Sequence, residues 1–151
     1  MSTRAARYLD AYRIAALLLL VMSIGHTTGE MLAVKSYGPQ ADAVFASMKS
    51  VHFDFFGTSR SYYDFWFSLG LVTSLFLLLS AVVAWQLARA SEPQWAVLAP
   101  IAWALFGSHV CNAILSWTYS HKGAGLITST IAVLLGVGAL QKARRARRVR
   151  G

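Results

Sequence analysis

The amino-acid sequence predicts an all-α integral membrane protein, a four-helix bundle with a short interfacial helix in the loop between the first two spans. Hydrophobic residues make up 56% of the 151-residue chain and charged residues only 13%, about half the charged fraction of an average soluble domain. Four stretches also reach the length of about 20 mostly apolar residues that one helix needs to cross a bilayer. The single cysteine, Cys111, excludes a disulfide framework.

The four predicted spans form a single transmembrane domain over residues 1–151. They cover about residues 11–33, 63–87, 95–119 and 123–140, and a basic tail follows at 141–151. Helix-breaking residues separate the spans, namely Gly38-Pro39, Ser91-Glu92-Pro93 and Lys122-Gly123. The first span also resembles a signal peptide, because Arg4, Arg7 and Arg13 precede its apolar run. Its regularly spaced polar residues favour a retained helix instead.

Basic residues predict the orientation, because the cytoplasmic loops of membrane proteins carry an excess of Lys and Arg. With the N terminus inside, ten of the 14 basic residues fall on the cytoplasmic side, and this side then accounts for the whole net charge of +8. Both termini are therefore predicted to be cytoplasmic. The ten residues are Arg4, Arg7, Arg13, Arg89, Lys142, Arg144, Arg145, Arg147, Arg148 and Arg150. We interpret the basic tail as a binder of anionic lipid headgroups rather than of nucleic acid.

Polar residues gather in the outer half of the first span. Ser23, His26, Thr27 and Glu30 recur at positions i, i+3, i+4 and i+7, which is one face of an α-helix. An ionisable group inside a membrane costs on the order of 2.5–3.5 kcal/mol at the centre of a span, so it faces the protein interior and has partners. If the chain catalyses proton transfer, burial of Glu30 would raise its pKa, and the neighbouring His26 could relay the proton.

The third span carries a second polar stripe in its outer half. His109, Asn112, Ser116 and Ser120 lie on one side of the predicted helix. Because two spans each present a stripe that contains a histidine, we expect the stripes to line a common cavity that opens to the outside. The alternative is that these groups only hydrogen-bond to one another and hold the helices together.

The loop between the first two spans is too long for a simple turn. After Gly38-Pro39, residues 40–50 predict a short helix with Val44, Phe45 and Met48 on its apolar side, at the outer interface or over the cavity mouth. The aromatic residues that follow are typical of a membrane interface, and walls around an apolar ligand are the alternative. In the fourth span, small residues at Gly125, Ser129, Ala132 and Gly136 predict close helix packing, within the bundle or between copies of the chain.

Residues 51–71 have the sequence Val-His-Phe-Asp-Phe-Phe-Gly-Thr-Ser-Arg-Ser-Tyr-Tyr-Asp-Phe-Trp-Phe-Ser-Leu-Gly-Leu. This segment resembles a family of small, uncharacterised four-span bacterial membrane proteins, and so do Gly25-His26-Thr27 and residues 84–87 and 115–117. This resemblance implies a bacterial inner-membrane four-helix bundle and no particular activity. A weaker likeness connects His26-x-x-x-Glu30, Asn112 and Trp117 to sterol-isomerase-type membrane bundles. The spacing of Asn112 and Trp117 and the helix order depart from that pattern, so the likeness serves as an analogy for chemistry.

Three functions follow from these patterns. The favoured one is non-catalytic binding of a small lipophilic molecule, or an accessory role in a larger membrane complex. The second is proton-transfer catalysis, an isomerase or cyclase, with His26, Glu30, Asp64 and His109 as catalytic residues. The third is a metal or haem site built from histidine and acidic side chains. The predicted ligand-binding residues are Thr27, His52, Asp54, Arg60, Tyr63, Trp66, Asn112, Ser116 and Trp117.

Overall fold

The computed structural model describes residues 10–150, and the side chains of residues 10–148. The predicted basic residues Arg4 and Arg7 lie outside this range. Within it, four helices are long and apolar enough to cross a membrane: Ala11–Leu32, Tyr62–Arg89, Glu92–Tyr119 and Lys122–Arg148. The predicted all-α class and the four spans are therefore confirmed, and the chain is a multi-pass membrane protein.

The elements follow the predicted order with two additions. Helix α1 (Ala11–Gly25) continues into a π-helix (His26–Leu32), and the predicted loop helix is α2 (Pro39–Ser50). A hairpin of strands β1 (His52–Phe55) and β2 (Thr58–Ser61) leads into α3 (Tyr62–Arg89), which is followed by α4 (Glu92–Tyr119) and α5 (Lys122–Arg150). The π-helix and the hairpin were not predicted. Helix α5 also runs ten residues beyond the predicted end of the fourth span, so the basic tail is helical.

Local hydrogen bonds explain where three of the helices begin. The Asp10 carboxylate accepts the backbone N–H of Tyr12 at 3.0 Å at the start of α1. Before α4, the Gln94 side chain accepts the backbone N–H of Ser91 at 2.9 Å, one half of a capping box. Before α3, the Ser61 N–H donates to the Asp64 carboxylate at 2.8 Å, and the Asp64 N–H donates to the Ser61 hydroxyl at 3.2 Å. Each signal is visible in the sequence as a polar residue just before an apolar run.

The chain divides into two compact units, and the first contains the start of α1, the end of α3 and all of α4 and α5. In this unit, small residues of α5 leave room for large aromatic rings of α1 and α4. A Cβ added to Gly138 would lie 2.8 Å from the Tyr12 ring, and one added to Gly136 would lie 2.8 Å from the Phe106 ring. The Tyr12 side chain is completely buried. The predicted close packing of the fourth span is thus found within the chain.

A buried lysine of α5, Lys142, hydrogen-bonds to the backbone at the end of α3. The Lys142 ammonium donates to the carbonyl oxygens of Ala88 at 3.2 Å and Ala90 at 2.6 Å, and Lys142 is only 7% exposed. The last carbonyls of a helix have no partner within the helix. Lys142 therefore satisfies backbone groups at the end of α3 and ties α5 to it.

The second unit spans residues 21–77 and contains the π-helix, α2, the hairpin and the first part of α3. The Met31 thioether packs directly on Gly70, where no side chain would fit. In the hairpin, Phe53 pairs with Arg60, and the two turn residues, Phe56 and Gly57, have φ values of 51° and 79°. Positive φ at both central positions is the geometry of a tight type I′ hairpin turn.

Candidate functional site

A cavity of about 190 Å³ lies in the second unit, and we call it the aromatic–lysine cavity. Three segments form its walls: the end of the π-helix with the residues that follow it, helix α2, and the first turn of α3. Of the predicted site residues, Glu30, Tyr63 and Trp66 line this cavity. The other lining residues are Met31, Leu32, Ala33, Val34, Lys35, Tyr37, Phe45 and Lys49.

Four aromatic rings form a continuous series along the cavity. The Tyr37 and Phe45 ring centroids are 6.4 Å apart and the rings are stacked, while Phe45 meets Trp66 edge-on at 5.4 Å. Trp66 and Tyr63 follow with centroids 5.4 Å apart. Aromatic pairs at these separations stabilise one another by about 0.5–1.5 kcal/mol beyond the area they bury. The rings therefore form a continuous aromatic wall, to which Tyr37 contributes from the loop before α2.

Two lysines and one carboxylate give the cavity its charge. The Lys35 ammonium and the Glu30 carboxylate form an ion pair at 2.8 Å, and this hydrogen bond raises the pKa of Lys35. The Lys49 ammonium lies 4.5 Å from the centroid of the Tyr63 ring, a cation–π contact. Within the described part of the chain, Lys49 has no carboxylate partner. The cavity therefore carries one positive charge that no acidic side chain neutralises.

Asp42, in the first turn of α2, positions the loop that carries Tyr37. Its carboxylate accepts the Ser36 hydroxyl at 2.6 Å and the Tyr37 backbone N–H at 3.0 Å. These two hydrogen bonds, the one from Ser36 first, hold the pKa of Asp42 below its usual range. Because Gly38 adopts a φ of 98°, the chain can turn sharply between this loop and α2.

Three residues of the polar stripe of the first span, Ser23, His26 and Thr27, form hydrogen bonds within or between helices, and only Glu30 of the stripe lines the cavity. His26 Nδ1 lies 3.0 Å from the Ser74 hydroxyl, and the Ser23 hydroxyl donates to the Ser74 carbonyl at 2.8 Å. The Thr27 hydroxyl donates to the Ser23 carbonyl one turn earlier, at 2.8 Å. Glu30 does not have the burial that proton-transfer chemistry would require, because its side chain is 49% exposed and its partner is Lys35 rather than His26.

The predicted residues of the loop have mainly local roles. Asp64 caps α3, as described above, and His52, Asp54 and Arg60 are exposed on the hairpin. Arg60 and Asp64 also border a second cavity of about 190 Å³ together with Phe65. Among the residues that the structure describes, no three His, Cys, Asp or Glu side chains are grouped so that they could hold a metal ion.

The predicted residues of the third span belong to α4, in the first unit. His109 is completely buried, whereas Asn112 and Ser116 are half-buried. The Trp117 indole N–H donates to the Ser129 hydroxyl of α5 at 3.0 Å, so Trp117 acts in helix packing. The expectation that His26 and His109 share one cavity, as substrate-binding groups or as haem ligands, stays a prediction.

The sequence patterns did not indicate Lys35, Lys49, Tyr37 or Asp42 as site residues. One signal for the cavity was present, because Phe45 and Lys49 are four residues apart and therefore share a face of the predicted loop helix. The pairing of Tyr37 with that face depends on a loop turn at Gly38, which periodicity does not describe.

Comparisons with known proteins add no relative to this description. No protein-family model, no curated protein and no solved structure matches the chain.

Proposed function

We propose that this protein binds a small amphipathic molecule with an anionic headgroup in the aromatic–lysine cavity, and that it acts as a binding or accessory protein without catalysis. The observation that carries the proposal is the combination of four aromatic walls with a lysine, Lys49, that has no acidic partner among the described residues. A mainly apolar pocket with a few well-placed polar groups is the usual form of a small-molecule site.

The size of the cavity limits the part of the ligand that it can hold. Its volume of about 190 Å³ is below the roughly 300–1,000 Å³ that is typical of sites enclosing a drug-sized molecule. A headgroup or a single ring fits this space, and a longer apolar chain would extend beyond it. A molecule of this kind places its charge near the membrane surface and its chain along the lipid, which matches a site at the end of a span.

The charges of the cavity favour an anion. Lys35 and Glu30 neutralise one another, and Lys49 remains as the net positive group. A lysine ammonium binds carboxylate, sulfate or phosphate by charge-assisted hydrogen bonds, which are about twice as strong as neutral ones. An anionic headgroup at Lys49 would exchange a cation–π contact for such a bond.

The position of Glu30 favours binding over proton-transfer chemistry. An isomerase of the type considered from the sequence needs a carboxylic acid that stays protonated near neutral pH, which apolar burial provides. Glu30 is half exposed and paired with a lysine at 2.8 Å. Glu30 therefore lacks the apolar burial that such an acid requires.

The location that we propose is a bacterial inner membrane, with both termini in the cytoplasm and the cavity on the outer side. The excess of basic residues at the predicted inner ends of the spans supports this orientation. Helix α2 has no buried residue, and Val44 on its apolar side is 59% exposed. An exposed apolar helix face next to the spans is typical of a helix that lies on the membrane interface.

The proposal is tested by calorimetric titration of the protein in a non-ionic detergent with hexyl sulfate, and with hexanol as the neutral comparison. We expect hexyl sulfate to bind and K49Q to weaken its binding roughly tenfold or more, since a hydrogen bond to a charged group contributes about 1.5–3 kcal/mol. The matched control is K122Q, which removes a lysine from the start of α5 and should leave binding unchanged. Equal affinities of wild type and K49Q would refute the proposal.

A further inference from the structure

A groove that is separate from both cavities lies in the first unit, between the start of α1 and the end of α3. Its volume is about 320 Å³, and apart from Gln86 its lining is apolar. Leu17, Leu20 and Val82 line it and are 55%, 38% and 51% exposed, so the groove is open on one side. In a chain that spans a membrane, such a face meets lipid chains.

The two helices that form the groove each place an arginine one turn beyond its end. On α3, Arg89 follows the lining residues Trp85 and Gln86 by four and three residues, and it therefore shares their face. On α1, Arg13 precedes the lining residues Ala16 and Leu17 by three and four residues and shares theirs. Both arginines thus lie toward the same end of the groove, the end that Gln86 lines.

This arrangement combines a long apolar wall with a cationic end. The lining of α3 extends from Leu78 to Gln86, which corresponds to about 12 Å along the helix at 1.5 Å per residue. Arg89 is exposed and makes no ion pair within the described residues. Guanidinium groups bind phosphate through paired hydrogen bonds, and an indole such as that of Trp85 prefers the level of the headgroups.

We infer that this groove is a binding site for one anionic phospholipid, with an acyl chain along the apolar wall and the headgroup phosphate at Arg89 and Arg13. The site is independent of the aromatic–lysine cavity, which lies in the other unit. It also differs from general attraction of lipid headgroups by the basic tail, because it needs the shape of the groove as well as charge.

The experiment is native mass spectrometry of the protein released from nanodiscs made of equal parts of phosphatidylglycerol and phosphatidylcholine. We expect one retained phosphatidylglycerol per chain in the wild type. The double variant R13Q/R89Q should reduce the preference for phosphatidylglycerol by roughly 30-fold, the factor expected for two basic residues near a membrane surface. The charge control R144Q/R147Q, in the basic tail, should retain the lipid.

A second pair of variants tests the shape of the groove. V82W fills it from an exposed position, so the fold should tolerate the change, and L20W is the second choice if V82W does not purify as a folded protein. V97W adds the same ring on α4, where Val97 is 77% exposed and does not line the groove. Loss of the retained lipid in V82W but not in V97W would support the site.

Two outcomes would overturn it. One is equal retention of phosphatidylglycerol by wild type, R13Q/R89Q and V82W. The other is a dimer in the wild type that V82W converts to a monomer, since a second copy of the chain would then occupy the groove. Neither outcome depends on hexyl sulfate binding, so the proposed function can fail or succeed separately.

Discussion

Replacing Gly125 with alanine probes a close contact between α4 and α5. A Cβ at this position would lie 2.5, 2.7 and 2.9 Å from three atoms of the Trp117 ring system. Carbon atoms in favourable contact are about 3.5–4.0 Å apart, so the indole would have to move by about 1 Å. That movement would also disturb the hydrogen bond from Trp117 to Ser129, which is 3.0 Å long.

Three contributions determine the expected loss of stability, two that destabilise the protein and one that stabilises it. Overpacking costs about 1–3 kcal/mol, and the lost hydrogen bond costs about 0.5–1.5 kcal/mol. Alanine has the higher helix propensity and returns about 1 kcal/mol. We therefore expect G125A to lower the free energy of unfolding by about 2 kcal/mol, which corresponds to a fall in Tm of roughly 4–8 °C for a chain of this size.

The assay is thermal unfolding of the purified protein in detergent, with two controls. Gly107 lies within α4, and a Cβ added there meets nothing within 4 Å, so G107A should raise Tm by roughly 2–4 °C through helix propensity alone. In a W117A background, G125A should no longer be destabilising. A Tm of G125A equal to or above the wild-type value, or the same loss with Trp117 absent, would refute this account of the interface.

Two further predictions concern the ends of the helices and the cavity loop. Lys142→Gln should lower the free energy of unfolding by about 1–3 kcal/mol, because it leaves buried carbonyls at the end of α3 with weaker partners. Thermal unfolding measures this loss, and amide hydrogen exchange near residue 90 should become faster. The pKa of Asp42 is lowered in the folded protein. Its stabilising hydrogen bonds are therefore fully present above the usual aspartate pKa of about 4. They are lost as the pH falls through the lower pKa of the folded state. Binding of hexyl sulfate, which stays ionised, should therefore weaken at acid pH, whereas D42N should bind weakly and without that change; a D42N variant that binds like the wild type would contradict this role.

Hydropathy predicted the spans well because a bilayer demands a run of apolar residues whatever the tertiary contacts. The predicted ends of the spans agreed less well with the ends of the helices. The fourth span was expected to stop near residue 140, where the apolar residues stop, but α5 continues to Arg150. Its basic residues, such as Lys142 and Arg144, have high helix propensity and lose little rotamer freedom in a helix. Hydropathy reports where the bilayer ends, and propensity decides where the helix ends.

The hairpin was missed because its second strand lacks the pattern of a half-buried strand. Residues 58–61, Thr-Ser-Arg-Ser, are polar throughout, and all but Ser61 are exposed. The turn uses Phe56 at positive φ, although Asn or Asp is the usual residue before Gly in such a turn. The rings of Phe53 and Phe55 contact Phe65 of α3, with centroids 5.9 and 4.9 Å away. Tertiary aromatic contacts of this kind stabilise strands that their own sequence does not predict.

The predicted site illustrates a limit of helical periodicity. The spacing of His26 and Glu30 was interpreted with an α-helical period, yet both residues lie in the π-helix, where hydrogen bonds run from i to i+5 and each turn holds more residues. Successive side chains then rotate less about the axis, so Glu30 no longer lies two full turns from Ser23 of α1 and turns away from the face that Ser23 marks. His26 is directed to Ser74, and Glu30 pairs with Lys35, five residues on.

The π-helix also explains why Glu30 lines the aromatic–lysine cavity. A regular α-helix would continue the spacing of α1, whereas the change of period at His26 redirects Glu30 toward the loop that carries Lys35. Neutralising Lys35 in this way matters for ligand choice, because it leaves Lys49 as the net charge of the cavity. If this reasoning is right, E30Q should add a second cation that no acid neutralises and strengthen hexyl sulfate binding, whereas K35Q should weaken it. The opposite order of affinities would mean that the ion pair closes the cavity and does not set its charge.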